Sequence, residues 1–455
     1  MRSSGNQPPT SGQTASGPTR RTLLHGGLAA GVSLAATGAL GDTPAIATPP
    51  AITPRLRDGS TDPAAIHPFR VAIRTAQLAA LRRRVTGTRW PSPELVTDRE
   101  QGVQLATAQA LAHFWTTRYD WRAFERKLNA LPQFRTEIDG VDVHFLHVRS
   151  RHAGALPLIM THGWPGSIVE LLETVGPLTD PTAHGGTAAD AFHLVLPSIP
   201  GYGFSSAPTE LGWETHRTAR AWVELMRRLG YTRYVAQGGD VGAVVTDNLG
   251  RMAPAGLLGI HMNLLITALG NATLPTDTDE EKAAAAAKAQ FAMTGNGYFI
   301  EQQTRPQTIG YALLDSPVAM ASWMLDHDTD SYYKISRAFR GGPPSGNLTR
   351  EHVLDNITLY WLTGTGVSAA RSYWESFHAA LAGGGQAPPP VTVPVAFSAF
   401  PGEIFQAPRS WVEIGYPTLT YYNKPRQGGH FAAWEEPELF TDELRRAFRP
   451  LRGQA

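Results

Sequence analysis

The feature that most constrains this chain is an alternation of short apolar strands with helical segments that stops at about Ile266 and resumes near Val393. Residues 141–148, Val-Asp-Val-His-Phe-Leu-His-Val, alternate with period two, as a half-buried strand does. Residues 156–160, 192–196, 234–236 and 257–264 are apolar runs of strand length. Helices are expected at 167–178, at about 215–229 and just after Asp240. Such alternation predicts a mostly parallel sheet with helices on both faces, an α/β class. Residues 266–385 read as helices, with a Glu/Lys/Ala-rich one near 280–290. Strand signals return at 393–397 and 419–422, and a last helix is expected at 437–448. A helical insertion between two parts of one sheet predicts a lid over the carboxyl ends of the strands, where open α/β sheets bind ligands.

Upstream, residues 66–133 are expected to be helical. Leu78, Leu81 and Val85 share one helical face, and Trp90-Pro91 is expected to end that helix. A second helix carries Val103, Leu105, Leu111 and Phe114, and Asp120 is placed to cap a third. Residues 48–66 are Pro-rich and aperiodic. The expected segments are therefore 1–47, 48–139, 140–265, 266–385 and 386–455.

The first of these reads as an export signal. Residues 1–19 are rich in Ser, Gly, Pro and Thr. Arg20-Arg21 leads into an apolar stretch ending at Leu40, and Ala45-Ile46-Ala47 suits a small-x-small cleavage site. Paired arginines before a modestly apolar stretch resemble a twin-arginine signal, which predicts a secreted or extracytoplasmic protein. That stretch is rich in Gly, Ala and Thr and short for a membrane span, so no stable span is expected in the mature chain. Asn-x-Thr sequons at Asn271, Asn347 and Asn356 matter only on a glycosylating route, against which a twin-arginine signal argues. A formal net charge of +1 and the lack of a long basic run disfavour nucleic acid as a partner. The chain has no cysteine, which excludes disulfides, thiolate catalysis and Cys-ligated metals.

Gly238-Gly239-Asp240-Val241-Gly242 has the form G-x-nucleophile-x-G between a predicted strand and a predicted helix. This is the nucleophile elbow of α/β-hydrolases, with Asp where esterases carry Ser. Glycines suit it because the turn is strained and brings strand and helix close. On its own, the pentapeptide equally describes a loop with an N-capping Asp. Two more residues lie in the chain order of that fold, nucleophile then acid then His. Glu403 lies in Phe400-Pro401-Gly402-Glu403 after a predicted strand, and His430 lies in Gly428-Gly429-His430-Phe431 after the last one. Glu403 would orient His430 and stabilise its imidazolium. His162-Gly163-Trp164-Pro165 follows the strand at 156–160. It matches the loop whose backbone amide forms half of an oxyanion hole, with Trp164 as one donor and Val241 as the other.

Taken together, His162-Gly163-Trp164-Pro165, Gly239-Asp240 and Gly428-Gly429-His430-Phe431-Ala432-Ala433 resemble the microsomal-type epoxide hydrolases, including the juvenile hormone epoxide hydrolases. Tyr119-Asp120-Trp121-Arg122 running on to Phe134 and Ile138-Asp139-Gly140 is similar to the N-terminal segment of that group. Asp315-Ser316-Pro317, Tyr360-Trp361-Leu362-Thr363-Gly364-Thr365 and Phe397-Ser398-Ala399-Phe400-Pro401 resemble it too, so the likeness spans residues 66–450. The resemblance implies an Asp nucleophile, a Glu or Asp acid, a His base and two lid tyrosines, which by position are Tyr298 and Tyr373. It implies a small apolar epoxide and water as partners, and no metal or cofactor. The chain departs from the family's usual elbow, which carries Trp where Val241 stands, so pocket shape and substrate preference are in question there.

The residues suit that chemistry. A carboxylate attacks an sp3 epoxide carbon without a base, and neutral phenols can donate to the oxygen that leaves. A haloalkane or haloacid dehalogenase would share the Asp elbow and the water-activating His, but Val241 offers no indole N–H for a halide. A non-catalytic protein that kept the scaffold is the third possibility, and the complete set of Asp240, Glu403 and His430 argues against it.

Overall fold

A computed structural model describes residues 62, 64–266, 269, 272–343, 345–383 and 388–453. The export signal expected at 1–47 and the sequon at Asn271 lie outside them.

Nine strands form one sheet: β1 (His67–Pro68), β2 (Gln133–Ile138), β3 (Val141–Val148), β4 (Leu156–Thr161), β5 (Phe192–Pro197), β6 (Tyr234–Gly238), β7 (Leu257–Met262), β8 (Val395–Ser398) and β9 (Leu419–Asn423). Their spatial order is β1-β2-β3-β5-β4-β6-β7-β8-β9. The run from β5 to β9 is parallel, and β1, β2 and β3 add antiparallel pairings at one edge. Residues of β4, β5, β6 and β7 are almost all buried, because helices cover both faces of a parallel sheet. Edge strand β9 has no fully buried residue, and its Thr420 is exposed.

The helices follow in chain order. Before β2 come α1 (Thr75–Thr86), α2 (Leu105–Thr117) and α3 (Trp121–Asn129). Within the sheet-forming part lie α4 (Val175–Thr179), α5 (Thr215–Arg228) and α6 (Val241–Met252). Between β7 and β8 stand α7 (Asp279–Gln290), α8 (Gly297–Thr304), α9 (Pro306–Asp315), α10 (Pro317–Leu325), α11 (Thr329–Arg340), α12 (Arg350–Thr363) and α13 (Gly366–Ala382). The chain closes with α14 (Arg409–Gly415), α15 (Ala432–Glu435) and α16 (Pro437–Arg452).

Local chemistry accounts for many of these boundaries. The Asp120 carboxylate accepts from the Arg122 amide and caps α3, as its position implied. On α5, Ala219, Trp222, Leu225 and Met226 form the buried stripe, and Glu214 caps the first turn. Three local expectations need correction. Helix α1 ends at Thr86 with Gly87 beyond it, so Trp90-Pro91 is not its stop. Residues 167–178 are mostly a 3-10 turn, Ile168–Thr174, followed by the short α4. Buried side chains occupy every position of that turn but Glu173, so no amphipathic face dictates an α-helix there. The helical reading of 66–133 misses β1, and β2 pairs with β3 through the Asp139-Gly140 turn.

Sheet order decides where a site can form. The chain runs from β4 outward to β5 on one side, then crosses back to β6 on the other. The carboxyl ends of the adjacent β4 and β6 flank this reversal, the position at which doubly wound sheets open a crevice.

Candidate active site

Four loops converge at those carboxyl ends. The loop after β4 carries His162 to Ser167, the turn after β6 carries Asp240, the loop after β8 carries Glu403, and the loop after β9 carries His430.

Asp240 sits at φ 50°, ψ −125°, a conformation that L-residues rarely adopt. Glycines make room for it. A Cβ on Gly238 would lie 2.0 Å from the Gly242 carbonyl oxygen, and one on Gly242 would lie 2.0 Å from the Thr161 oxygen of β4. A Cβ on Gly163 would stand 2.3 Å from Asp240 Oδ1. Each substitution would push the carboxylate or helix α6 out of place.

The Trp164 amide donates to Asp240 Oδ1 at 2.8 Å. Val241 is the first residue of α6 and half-buried; among the described residues its amide makes no hydrogen bond to that carboxylate. Asp240 Oδ2 faces His430 Nε2 at 3.5 Å. His430 Nδ1 is hydrogen-bonded to Glu403 Oε1 at 2.6 Å, and that oxygen also accepts from the Ile404 amide. Gly402 and Gly429 pair as an isolated parallel bridge, which ties the acid's loop to the base's loop. All three side chains are buried. Burial alone would raise the Asp240 carboxyl, but the two imidazoles facing it, His327 and His430, hold it below the usual carboxylate range. Burial alone would lower His430, but the Glu403 and Asp240 carboxylates hold it above an ordinary imidazole.

His162 is placed to shape the loop. Its Nε2 accepts from the Ile199 amide at 3.2 Å, and Nδ1 faces the Gly163 carbonyl at 3.1 Å. Burial pushes its imidazole down to about 4, so it stays neutral. Lid helix α12 grips the same loop: Asn356 donates to the Pro165 carbonyl at 2.8 Å and Tyr360 to the Gly166 carbonyl at 2.6 Å. Asn356 also accepts from the Ser167 hydroxyl, so this sequon residue is buried and committed.

Both lid tyrosines reach the site. Tyr298 of α8 and Tyr373 of α13 are buried with ring centroids 6.4 Å apart. Burial first, then the Asp240 charge, raises both phenols well above their ordinary value, so they stay protonated. The Tyr298 hydroxyl is bonded to His327 Nε2 at 2.8 Å, whereas the Tyr373 hydroxyl has no such partner among the described residues.

Residues 66–171 match the family model described as "Epoxide hydrolase N terminus". A Stigmatella aurantiaca protein is 50% identical over 395 residues, 86% of either chain. Epoxide hydrolase 1 of Sus scrofa is 33% identical over 411 residues, covering 86% of this chain and 90% of its own. The chain belongs to the epoxide hydrolase family. It is therefore a hydrolase, and its fold is the α/β-hydrolase fold. The crystal structure of juvenile hormone epoxide hydrolase from the silkworm Bombyx mori matches with a TM-score of 0.76 at 27% identity, covering 86% of this chain and 96% of that one.

Two buried titratable residues of this region escaped the sequence reading. His327 precedes α11, with Nε2 3.7 Å from Asp240 Oδ2. Glu170 lies in the 3-10 turn, and its Oε2 fills the space that a side chain at Gly166 would need. Burial raises the Glu170 carboxyl well above its ordinary value. The pattern Asp326-His327-Asp328 was the available signal for the first; Glu170, on an apolar turn, offered none. Asp240, His327 and His430 each present one ligand-type atom within 4.8 Å of the others. The Nε2 of His327, the atom nearest Asp240, is also bonded to the Tyr298 hydroxyl.

Proposed function

We propose that this epoxide hydrolase opens a small apolar epoxide to a vicinal diol through an ester on Asp240. The observation that carries the reading is the division of the Asp240 carboxylate: Oδ1 is held by the Trp164 amide while Oδ2 faces the His430 imidazole. Oδ2 attacks the ring carbon, the carbon–oxygen bond breaks, and the departing oxygen takes a proton from a lid tyrosine. Esterification removes the charge on Asp240, one of the two carboxylates that raise His430. Its pKa then falls, and the neutral imidazole, held by Glu403, can take a proton from water. The hydroxide attacks the Asp240 carbonyl carbon. Charge developing on Oδ1 is met by the Trp164 amide and by the N-terminus of α6, where Val241 stands. Single turnover in 18O-labelled water tests this: label is expected in the Asp240 carboxylate, and label confined to the diol would rule the ester out.

We further propose export of the folded protein through the Arg20-Arg21 signal. It is supported by the order of basic pair, apolar stretch and Ala-Ile-Ala site, and by the absence of cysteine. Among the described residues no helix is long and apolar enough to cross a membrane.

A further inference from the structure

Asp240 faces two imidazoles, and the reaction described above uses one of them. The other, His327, is 2% exposed and has a complete set of partners. Its Nδ1 lies 3.2 Å from Asp328 Oδ2, and its Nε2 lies 2.8 Å from the Tyr298 hydroxyl. Asp328 is itself fixed, because its Oδ1 caps α11 by accepting from the Ser331 amide at 2.8 Å. The two imidazole rings are 4.4 Å apart and tilted, so each with its own acid flanks Asp240: His430 with Glu403, His327 with Asp328. The titratable groups facing His327 are Asp240 from the elbow, Tyr298 from α8, Asp328 at the start of α11 and His430 after β9. Tyr373 stands behind Tyr298, and Glu403 behind His430.

A phenol bonded to an imidazole can point its proton only one way. With Nδ1–H given to Asp328, a neutral His327 has only a lone pair at Nε2, and the Tyr298 O–H must point at it. A protonated His327 donates Nε2–H to the Tyr298 oxygen instead, and the phenol's own proton turns toward the site. We propose that His327, held by Asp328, is a positioning residue for ring opening: it determines whether the Tyr298 hydroxyl donates to the epoxide oxygen or is withdrawn from it. This rests on the reading of Tyr298 as a proton donor. In the productive state the Asp240–carbon bond forms, the ring carbon–oxygen bond breaks, and Tyr298 gives its proton to the oxygen. The phenolate is held by His327 Nε2–H. It regains a proton when ester hydrolysis restores the Asp240 carboxylate and releases one. Tyr373, whose hydroxyl has no hydrogen-bond partner among the described residues, is outside this control.

The rate of ester formation in single turnover, followed by rapid quench and intact mass across pH, tests the proposal. In the unaltered protein the rate is expected to fall as pH rises, since only an Nε2–H on His327 frees the Tyr298 proton for the epoxide oxygen. His327→Gln should abolish that fall, because an amide donates at every pH, and should stay within about tenfold of the low-pH rate. Asp328→Asn keeps the helix cap through Oδ1 but turns an amide N–H toward His327 Nδ1, which leaves Nε2–H to donate to Tyr298 even on a neutral ring, so the fall should be lost. Tyr298→Phe should slow the step and lose the fall, leaving the pH-independent contribution of Tyr373. Asp328→Asn and Tyr298→Phe report on the same relationship without altering His327, should His327→Gln misfold. A fall that persists unchanged in all three variants belongs to another group, such as His430, and overturns the proposal. Wild-type ring opening in Tyr298→Phe at every pH instead overturns the donor role on which it rests.

Discussion

The Trp164 amide meets Asp240 Oδ1 at 2.8 Å although the two residues leave from different strands, β4 and β6. Those strands are neighbours because the chain reverses direction across the sheet between them. One carboxylate oxygen is thus already held where negative charge will develop, and no reorganisation is needed when it does.

His430 and Asp240 divide the work between two steps, so their substitutions should separate them. His430→Gln removes the base that deacylation needs but leaves the carboxylate that attacks. An ester is expected to accumulate, seen as a mass increase equal to the substrate, while turnover falls by about four orders of magnitude or more. A folded variant with neither ester nor turnover would count against the assignment.

The lid tyrosines should act on ring opening and leave deacylation little changed. Loss of one strong donor from such a site costs about 2.7–4 kcal/mol, a hundred- to a thousand-fold in rate. With one phenol remaining, each of Tyr298→Phe and Tyr373→Phe should fall short of that range, and the double variant should be much slower than either. Near wild-type ring opening by the double variant would make both residues packing groups.

Asp355 ties lid helix α12 to the N-terminal segment, where the Tyr119 hydroxyl donates to its Oδ1 at 2.8 Å. Burial pushes this carboxyl up to about 7. A folded-state pKa raised above the unfolded value, about 3.9, means stability that is full below that value and lost as pH rises toward 7. Asp355→Asn keeps the acceptor and removes the ionisation. It should therefore raise the melting temperature at pH 8 by several degrees and do much less at pH 5. Equal effects at the two pH values would show that Asp355 does not titrate in this window.

Export is checked by replacing Arg20 and Arg21 with Lys. The variant should stay inside the cell, while the unaltered protein should be recovered outside with an N-terminus near Thr48. Unchanged secretion of the Lys pair would rule out a twin-arginine route.

Much of this protein was legible in its amino-acid order, where the determinants are local. A parallel strand buried on both faces must be an apolar run, so β4 to β8 could be read directly. A strained strand-to-helix turn leaves no room for a side chain at Gly238 or Gly242, so the elbow announced itself. The Gly-rich loops at Glu403 and His430 followed in the order that the fold demands. Where partners come from distant parts of the chain, sequence alone was silent. β2 is a strand because β3 offers it an edge, and its own residues do not alternate strictly. Residues 168–174 wind as a 3-10 turn because the surrounding core buries nearly all of that turn. His327 meets Asp240 only because the lid covers the carboxyl ends of the strands, and Glu170 is buried near them only because its turn packs into the core. The chemistry of an imidazole is set by what lies within a few ångströms. For His327 those neighbours are Asp240, Tyr298 and His430, brought together by tertiary structure alone.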